Sequence, residues 1–125
     1  MIVVYYLDIE HASLRSVPAR DIPIVGNPEG VLVAWNAGAY QKVATIDSDE
    51  LSYAYQHTNN IDDSWSMDDY CQPRGHRGVT VEAPLHVRDG QTYGLRSSMV
   101  GDVFIKNGTA FVCSMVGWKE VEGIH

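Results

Sequence analysis

The chain is poor in cysteine, in basic charge and in unbroken apolar sequence, and each shortage excludes something. Its two cysteines, Cys71 and Cys113, stand far apart in 125 residues and fit no zinc or redox spacing. Two reduced thiols in a cytosolic protein are the expectation. Nine Lys and Arg face sixteen Asp and Glu, a formal charge of -7. That balance argues against phosphate-backbone binding as the main task, and direct nucleic-acid binding is not expected. No apolar run approaches the roughly 20 residues of a membrane-spanning helix. The first run, Ile2 to Leu7, breaks at Asp8 without a basic flank and is too short for an export-signal core. Asn107-Gly108-Thr109 matches a glycosylation acceptor in form, but without export it is turn chemistry. A cytoplasmic protein without membrane contact is expected.

Residues 1–125 suit a single domain by size. The 45% apolar and 20% charged content is that of a globular chain. Met1 to Ile9 is dense in β-branched and aromatic residues and predicts a first strand. Val31 to Trp35 (VLVAW) predicts a second, after a proline-containing connection over residues 11–30. Tyr40 to Ile46 alternates as a third strand. Asp47-Ser48-Asp49-Glu50 carries a capping-box pattern, Asp47 as N-cap and Glu50 three residues on. It opens the one main helix, about residues 48–58. Leu51, Ala54, Tyr55 and Thr58 recur at helical spacing and form its buried stripe. Asn59-Asn60 stops it through the left-handed tolerance of Asn.

Residues 62–78 lack periodicity and predict a long loop. Short strands are expected at Val79 to Glu82 and on both sides of an Asp89-Gly90 turn. The clearest unit is the hairpin of Val103 to Lys106 and Thr109 to Val112 around Asn107-Gly108, the preferred pair for a type I′ turn. Its register sets Val103 opposite Val112, Phe104 opposite Phe111 and Ile105 opposite Ala110. Both faces are then apolar, so the hairpin belongs in the middle of a sheet covered on both sides. A last short strand is expected over Lys119 to Val121. The fold class is α+β: a curved, mostly antiparallel sheet of five or six strands, in the manner of a partly open barrel, with one main helix.

Charge is unevenly spread. Asp47, Asp49, Glu50, Asp62, Asp63, Asp68 and Asp69 fall within 23 residues that contain no Lys or Arg; the other nine acids equal the nine basic residues. The entire net charge therefore belongs to one helix start and the loop after it. Such a stretch is either a solvated segment or a docking face for a basic partner. The same carboxylates could hold a cation, but their spacing is not that of a calcium loop. Cys71, His76 and His86 show no structural-zinc spacing and His57 reads as a helix-surface residue, so no metal or cofactor is expected. No G-x-S-x-G elbow, no cysteine beside a base and no phosphate-cradling glycine loop is present. Catalysis is not expected. Arg74, Arg77, Arg88 and Arg96, with Tyr70 and Tyr93 nearby, form a modest basic set best explained by structural ion pairs.

Two segments resemble a known pattern. Tyr55, Thr58-Asn59, Ile61-Asp62 and Trp65 follow the spacing of an aromatic, a Thr-Asn pair, Ile-Asp and Trp. Arg96-Ser97-Ser98-Met99-Val100-Gly101-Asp102-Val103, followed by Gly108, Ala110 and Gly117-Trp118-Lys119-Glu120, resembles an RS-x-SVGDV … G-x-A … GW-x-E signature. Together they are similar to small YodL-like proteins encoded by bacteriophages, plasmids and other mobile elements. Met99 departs from the small hydroxyl residue usual at its position. The resemblance implies no reaction and no catalytic residue. It implies a small accessory protein of a phage or mobile element, in the host cytoplasm, that binds a host or viral protein. Joined to the charge concentration and the lack of a catalytic constellation, this gives the expectation of a non-enzymatic protein that contacts its partner through the acidic face. A defence or DNA-processing protein is one such partner, and self-association is another option. An acidic mimic of nucleic acid that inhibits a host enzyme is the alternative. A small metal-dependent enzyme is a second alternative.

Overall fold

The computed structural model describes residues 1–8, 27–60, 66, 78–83, 86–115 and 117–124. It is built on a six-stranded antiparallel sheet in the order β3-β2-β1-β6-β7-β8, comprising β1 (Ile2–Leu7), β2 (Tyr40–Ile46), β3 (Val79–Val81), β6 (Val103–Lys106), β7 (Thr109–Ser114) and β8 (Gly117–Val121). The strands β4 (His86–Arg88) and β5 (Gln91–Tyr93) form a separate hairpin. Because β3 and β8 lie at opposite ends of the order, the sheet is open. Among the described residues two helices complete the α+β fold, α1 (Pro28–Asn36) and α2 (Leu51–Gln56).

Turn chemistry and the apolar pattern set the sheet. Asn107 and Gly108 take φ of 50° and 85°, as a two-residue type I′ turn requires. The register pairs Val103 with Val112, Phe104 with Phe111 and Ile105 with Ala110, as expected. Asp89 and Gly90, at 53° and 75°, turn β4 into β5 in the same way. Strand β6 lies between β1 and β7, and both of its faces are covered. Phe104 packs with Ile2, Val4, Ala44, Ile46 and Ala54 on the α2 side. Val103 packs with Val31, Ala110, Val112, Val121 and Ile124 on the α1 side.

One expected strand is a helix. Val31 to Trp35, read as VLVAW in extended form, lies inside α1, with Val31 and Ala34 buried. The physical reason stands just upstream. The Asn27 side chain accepts a hydrogen bond from the Glu29 N–H, Pro28 occupies the first turn, and Glu29 adds negative charge there. These start signals outweigh the β propensity of a short apolar run. A second helix therefore stands beside the expected one.

The expected helix is present but begins later and without its capping box. The Glu50 backbone forms the N-cap, with no side-chain cap bond. The Ser48 hydroxyl accepts from the Glu50 N–H instead, and the Asp47 N–H donates to the Gly78 carbonyl beside β3. Asp47 continues the path of β2 and cannot turn to cap α2. The stripe holds: Ala54 and Thr58 are fully buried, with Leu51 and Tyr55 half-buried. The stop differs in kind, since the Asn59 side-chain amide donates back to the Tyr55 carbonyl and neither Asn59 nor Asn60 has positive φ. Trp118 of β8 fixes the helix to the sheet. Its ring meets Phe104 edge-on at 4.9 Å and Tyr55 at 6.2 Å.

Candidate functional site

Two charged regions stand out, one outside and one inside. The outer one is the corner between β2 and α2. Asp47, Asp49 and Glu50 are all exposed there, where the chain leaves the end of β2 and turns into α2. Asp62, Asp63, Asp68 and Asp69 lie outside the described residues. The corner has local cations. The Met1 amino group sits 2.5 Å from Asp49 Oδ1, and together with Lys106 it holds the Asp49 carboxyl below the usual range. Next to the corner, Tyr53 and His57 stack with ring centroids 4.0 Å apart. His57 faces the Tyr53 carbonyl through Nδ1 at 2.9 Å and is half-buried at the end of the helix.

The inner region joins the two sequence segments quoted above, residues 55–65 and 96–103, through Thr58, Arg96, Ser97, Ser98 and Asp102. Asp102, just before β6, is fully buried. Arg96 grips it with two bonds, Nη1 to Oδ2 and Nη2 to Oδ1, each 2.7 Å. The Leu7 N–H donates to Oδ1 at 2.9 Å and the Met99 N–H to Oδ2 at 2.8 Å. Each carboxylate oxygen thus accepts two hydrogen bonds, which fills its lone pairs. Burial raises the Asp102 pKa, and the Arg96 guanidinium and the backbone donors oppose that rise. Four N–H donors face the carboxylate and favour its charged form against the burial. Burial works against the Arg96 charge too, but the bonds to Asp102 outweigh it and leave the guanidinium above its usual range.

Around the ion pair the polar groups are equally well matched. The Arg96 guanidinium lies 4.1 Å over the Tyr6 ring, a cation–π contact, and donates to the Leu7 carbonyl at 3.1 Å. The Tyr6 hydroxyl lies 2.9 Å from the Arg96 carbonyl, 3.1 Å from the Thr58 carbonyl and 3.0 Å from Ser98 Oγ. Thr58 donates to the Ala54 carbonyl at 2.8 Å, and its oxygen meets Ser98 Oγ at 2.6 Å. Ser97 Oγ accepts from the Asn60 N–H. The Tyr40 hydroxyl donates to the Gly101 carbonyl at 2.6 Å. Burial raises the pKa of Tyr6 and Tyr40 strongly. Residues 94–102 thereby form a strap clasped to β1, β2 and the end of α2.

The chain matches no known protein family, no curated protein and no solved structure. The YodL-like likeness therefore stands on the quoted residues alone. Thr58 from one segment and Arg96, Ser97, Ser98 and Asp102 from the other form the clasp, so their spacing has a structural explanation. Trp65 lies outside the described residues.

Of the basic set, Arg96 is drawn inward by Asp102 and does not touch the acidic corner. Arg74, Arg77 and Tyr70 lie outside the described residues, as do the side chains of Arg88 and Tyr93. Cys71 and His76 also lie outside them, and no three of His, Cys, Asp and Glu converge on a metal site among the described residues. Burial pushes the Cys113 thiol up, away from reactivity. No membrane-length apolar helix occurs among the described residues.

Sequence reasoning missed a second acidic region. Glu29, from the start of α1, and Glu120 and Glu122, from β8 and just after it, line an open groove of about 290 Å³ together with Pro28, Leu32 and Val121. Its members are distant in sequence and reach one another only because α1 packs across β8, with Val31, Leu32 and Val121 in one apolar cluster.

Proposed function

We propose that the protein acts by binding: a non-enzymatic accessory protein whose acidic stretch, beginning at the β2–α2 corner, docks a basic surface of a protein partner. The observation that carries this reading is the segregation of charge. Seven of sixteen acids lie within residues 47–69 with no Lys or Arg among them, and the three described members are exposed. Clustered carboxylates of this kind raise the encounter rate with a basic partner and select against acidic ones. The Tyr53–His57 stack beside the corner supports the reading, because a half-buried aromatic pair next to charge can anchor an interface or receive a cation. Asp102 and Arg96 take no part, since each satisfies the other inside the fold. The likeness to YodL-like proteins supplies the setting, a phage or mobile element acting on a host or viral protein.

Charge reversal tests it. Affinity capture from host cells is compared between the native chain and a variant carrying Asp47→Lys, Glu50→Lys, Asp62→Lys, Asp63→Lys, Asp68→Lys and Asp69→Lys. Loss of the co-purified protein, with unchanged circular dichroism, is the expected result. Undiminished capture removes this surface from the function.

A further inference from the structure

We propose that β8 is a second docking edge, which takes an extended basic segment of another protein as an added strand. This surface is distinct from the acidic corner: β8 and the β2–β3 side are opposite ends of the strand order, although α2 reaches β8 through Tyr55 and Trp118. Among the described residues β8 has one strand neighbour, β7, paired from Ser114↔Gly117 to Ala110↔Val121. A two-residue hairpin closes on a hydrogen-bonded pair and the pattern then alternates. Gly117, Lys119 and Val121 therefore bond to β7, while Trp118 and Glu120 aim their backbone N–H and C=O groups outward. Such a row is a template for another strand.

The groove lies along that same edge. Glu120 projects from the α2 face of the sheet, since it pairs with Phe111, whereas Leu32 belongs to α1 on the opposite face. Residues on opposite faces of β8 can line one groove only where it passes the outer edge, because β7 fills the inner one. It is lined by three acidic residues, Glu29, Glu120 and Glu122, and by the apolar Leu32 and Val121. An incoming strand with Lys or Arg at alternate positions on the α2 face meets the Glu120 carboxylate, and its intervening apolar side chains turn to Leu32 and Val121 on the α1 face.

A second copy of this chain is a poor occupant. Antiparallel self-pairing centred on the charged part of β8 sets Lys119 against its own copy, or Glu120 against its own copy. Like charges directly opposite one another disfavour either register.

The test titrates the isotope-labelled protein with an octapeptide of alternating Lys and Val at low salt, followed by backbone amide NMR. Saturable shifts at Trp118, Glu120 and Glu122 are expected, with binding about tenfold weaker for the matching Glu-Val peptide. Glu120→Pro is the diagnostic variant. It deletes an outward N–H and spares the β7 ladder, so the fold should survive while peptide affinity falls about tenfold or more. Glu120→Lys with Glu122→Lys should weaken binding without changing the spectrum elsewhere. Three results overturn the proposal: shifts confined to residues 47–57, slow exchange of the Trp118 and Glu120 amides in the free protein, which would mean that the edge is already covered, or a concentration-dependent dimer that Glu120→Pro abolishes.

Discussion

The acidic corner and the Arg96–Asp102 clasp are built from the same chemistry and do opposite things with it. At the corner, carboxylates stand in water, where moving one by an ångström costs little and binding a partner still has something to gain. In the clasp, a carboxylate has left water entirely, and four N–H donors replace its hydration. A charge removed from solvent must be matched where it lies or it destabilises the fold. The clasp therefore dictates where residues 94–102 run, whereas the exposed carboxylates of Asp47 and Glu50 at the corner do not direct the chain. Net charge alone could not distinguish the two.

The sharpest way to break this contrast is Asp102→Ala. It strands the Arg96 guanidinium and two backbone N–H groups, and a loss of about 3–5 kcal/mol is expected in urea unfolding. Phe104→Ala, which removes the aromatic under Tyr55 and Trp118 but no charge, should cost a comparable roughly 3–5 kcal/mol. If the alanine at 102 proves much milder than the one at 104, the ion pair is ornamental and the apolar core holds the strap. Thr58→Val keeps the shape but removes the hydroxyl that meets Ser98, and about 1–2 kcal/mol should follow.

Next comes pH. Tyr6 and Tyr40 have folded pKa values raised above an unfolded value of about 10. Above that pH the unfolded chain binds fewer protons than the folded one, so stability falls as pH rises. Their contribution is complete below about pH 10 and declines beyond it. Phenolate absorbance should show these two rings titrating only as the protein unfolds, and Tyr40→Phe should flatten the alkaline slope of the melting temperature. The smallest effect on the fold belongs to the corner. Asp47→Lys with Glu50→Lys should leave the unfolding midpoint in place, whereas a shift as large as that of Thr58→Val would mean that the corner is structural.

What could be read in advance divides along physical lines. Asn107-Gly108 announced its hairpin because the turn is decided by two adjacent residues and their φ angles. The α2 stripe was readable for the same local reason. Val31 to Trp35 misled because a five-residue apolar run fits a strand or a buried helix equally well. Asn27-Pro28-Glu29 carried the deciding start signal outside the run. Asp47 and Glu50 had capping-box spacing, but pairing near β3 took Asp47 away from the helix. Arg96 was legible as an ion-pair former, and Asp102 stood only as a member of the quoted signature. That each was the other's partner, over the Tyr6 ring from the far end of the chain, is a tertiary fact with no local trace. The Glu29, Glu120 and Glu122 groove was hidden for the same reason.

Strand order has a temporal consequence. Strand β1 forms the middle of the sheet, yet one of its neighbours, β6, follows almost the whole length of the chain later. While the polypeptide leaves the ribosome, Ile2 to Leu7 can join β2 early, but the other side of this very apolar strand stays open until Val103 to Lys106 has been made. Closure over so long a separation is slow, and an uncovered strand is an invitation to aggregate in the interval. The nascent chain is thus most exposed to chaperones and to mispairing just before Val103 to Lys106 appears.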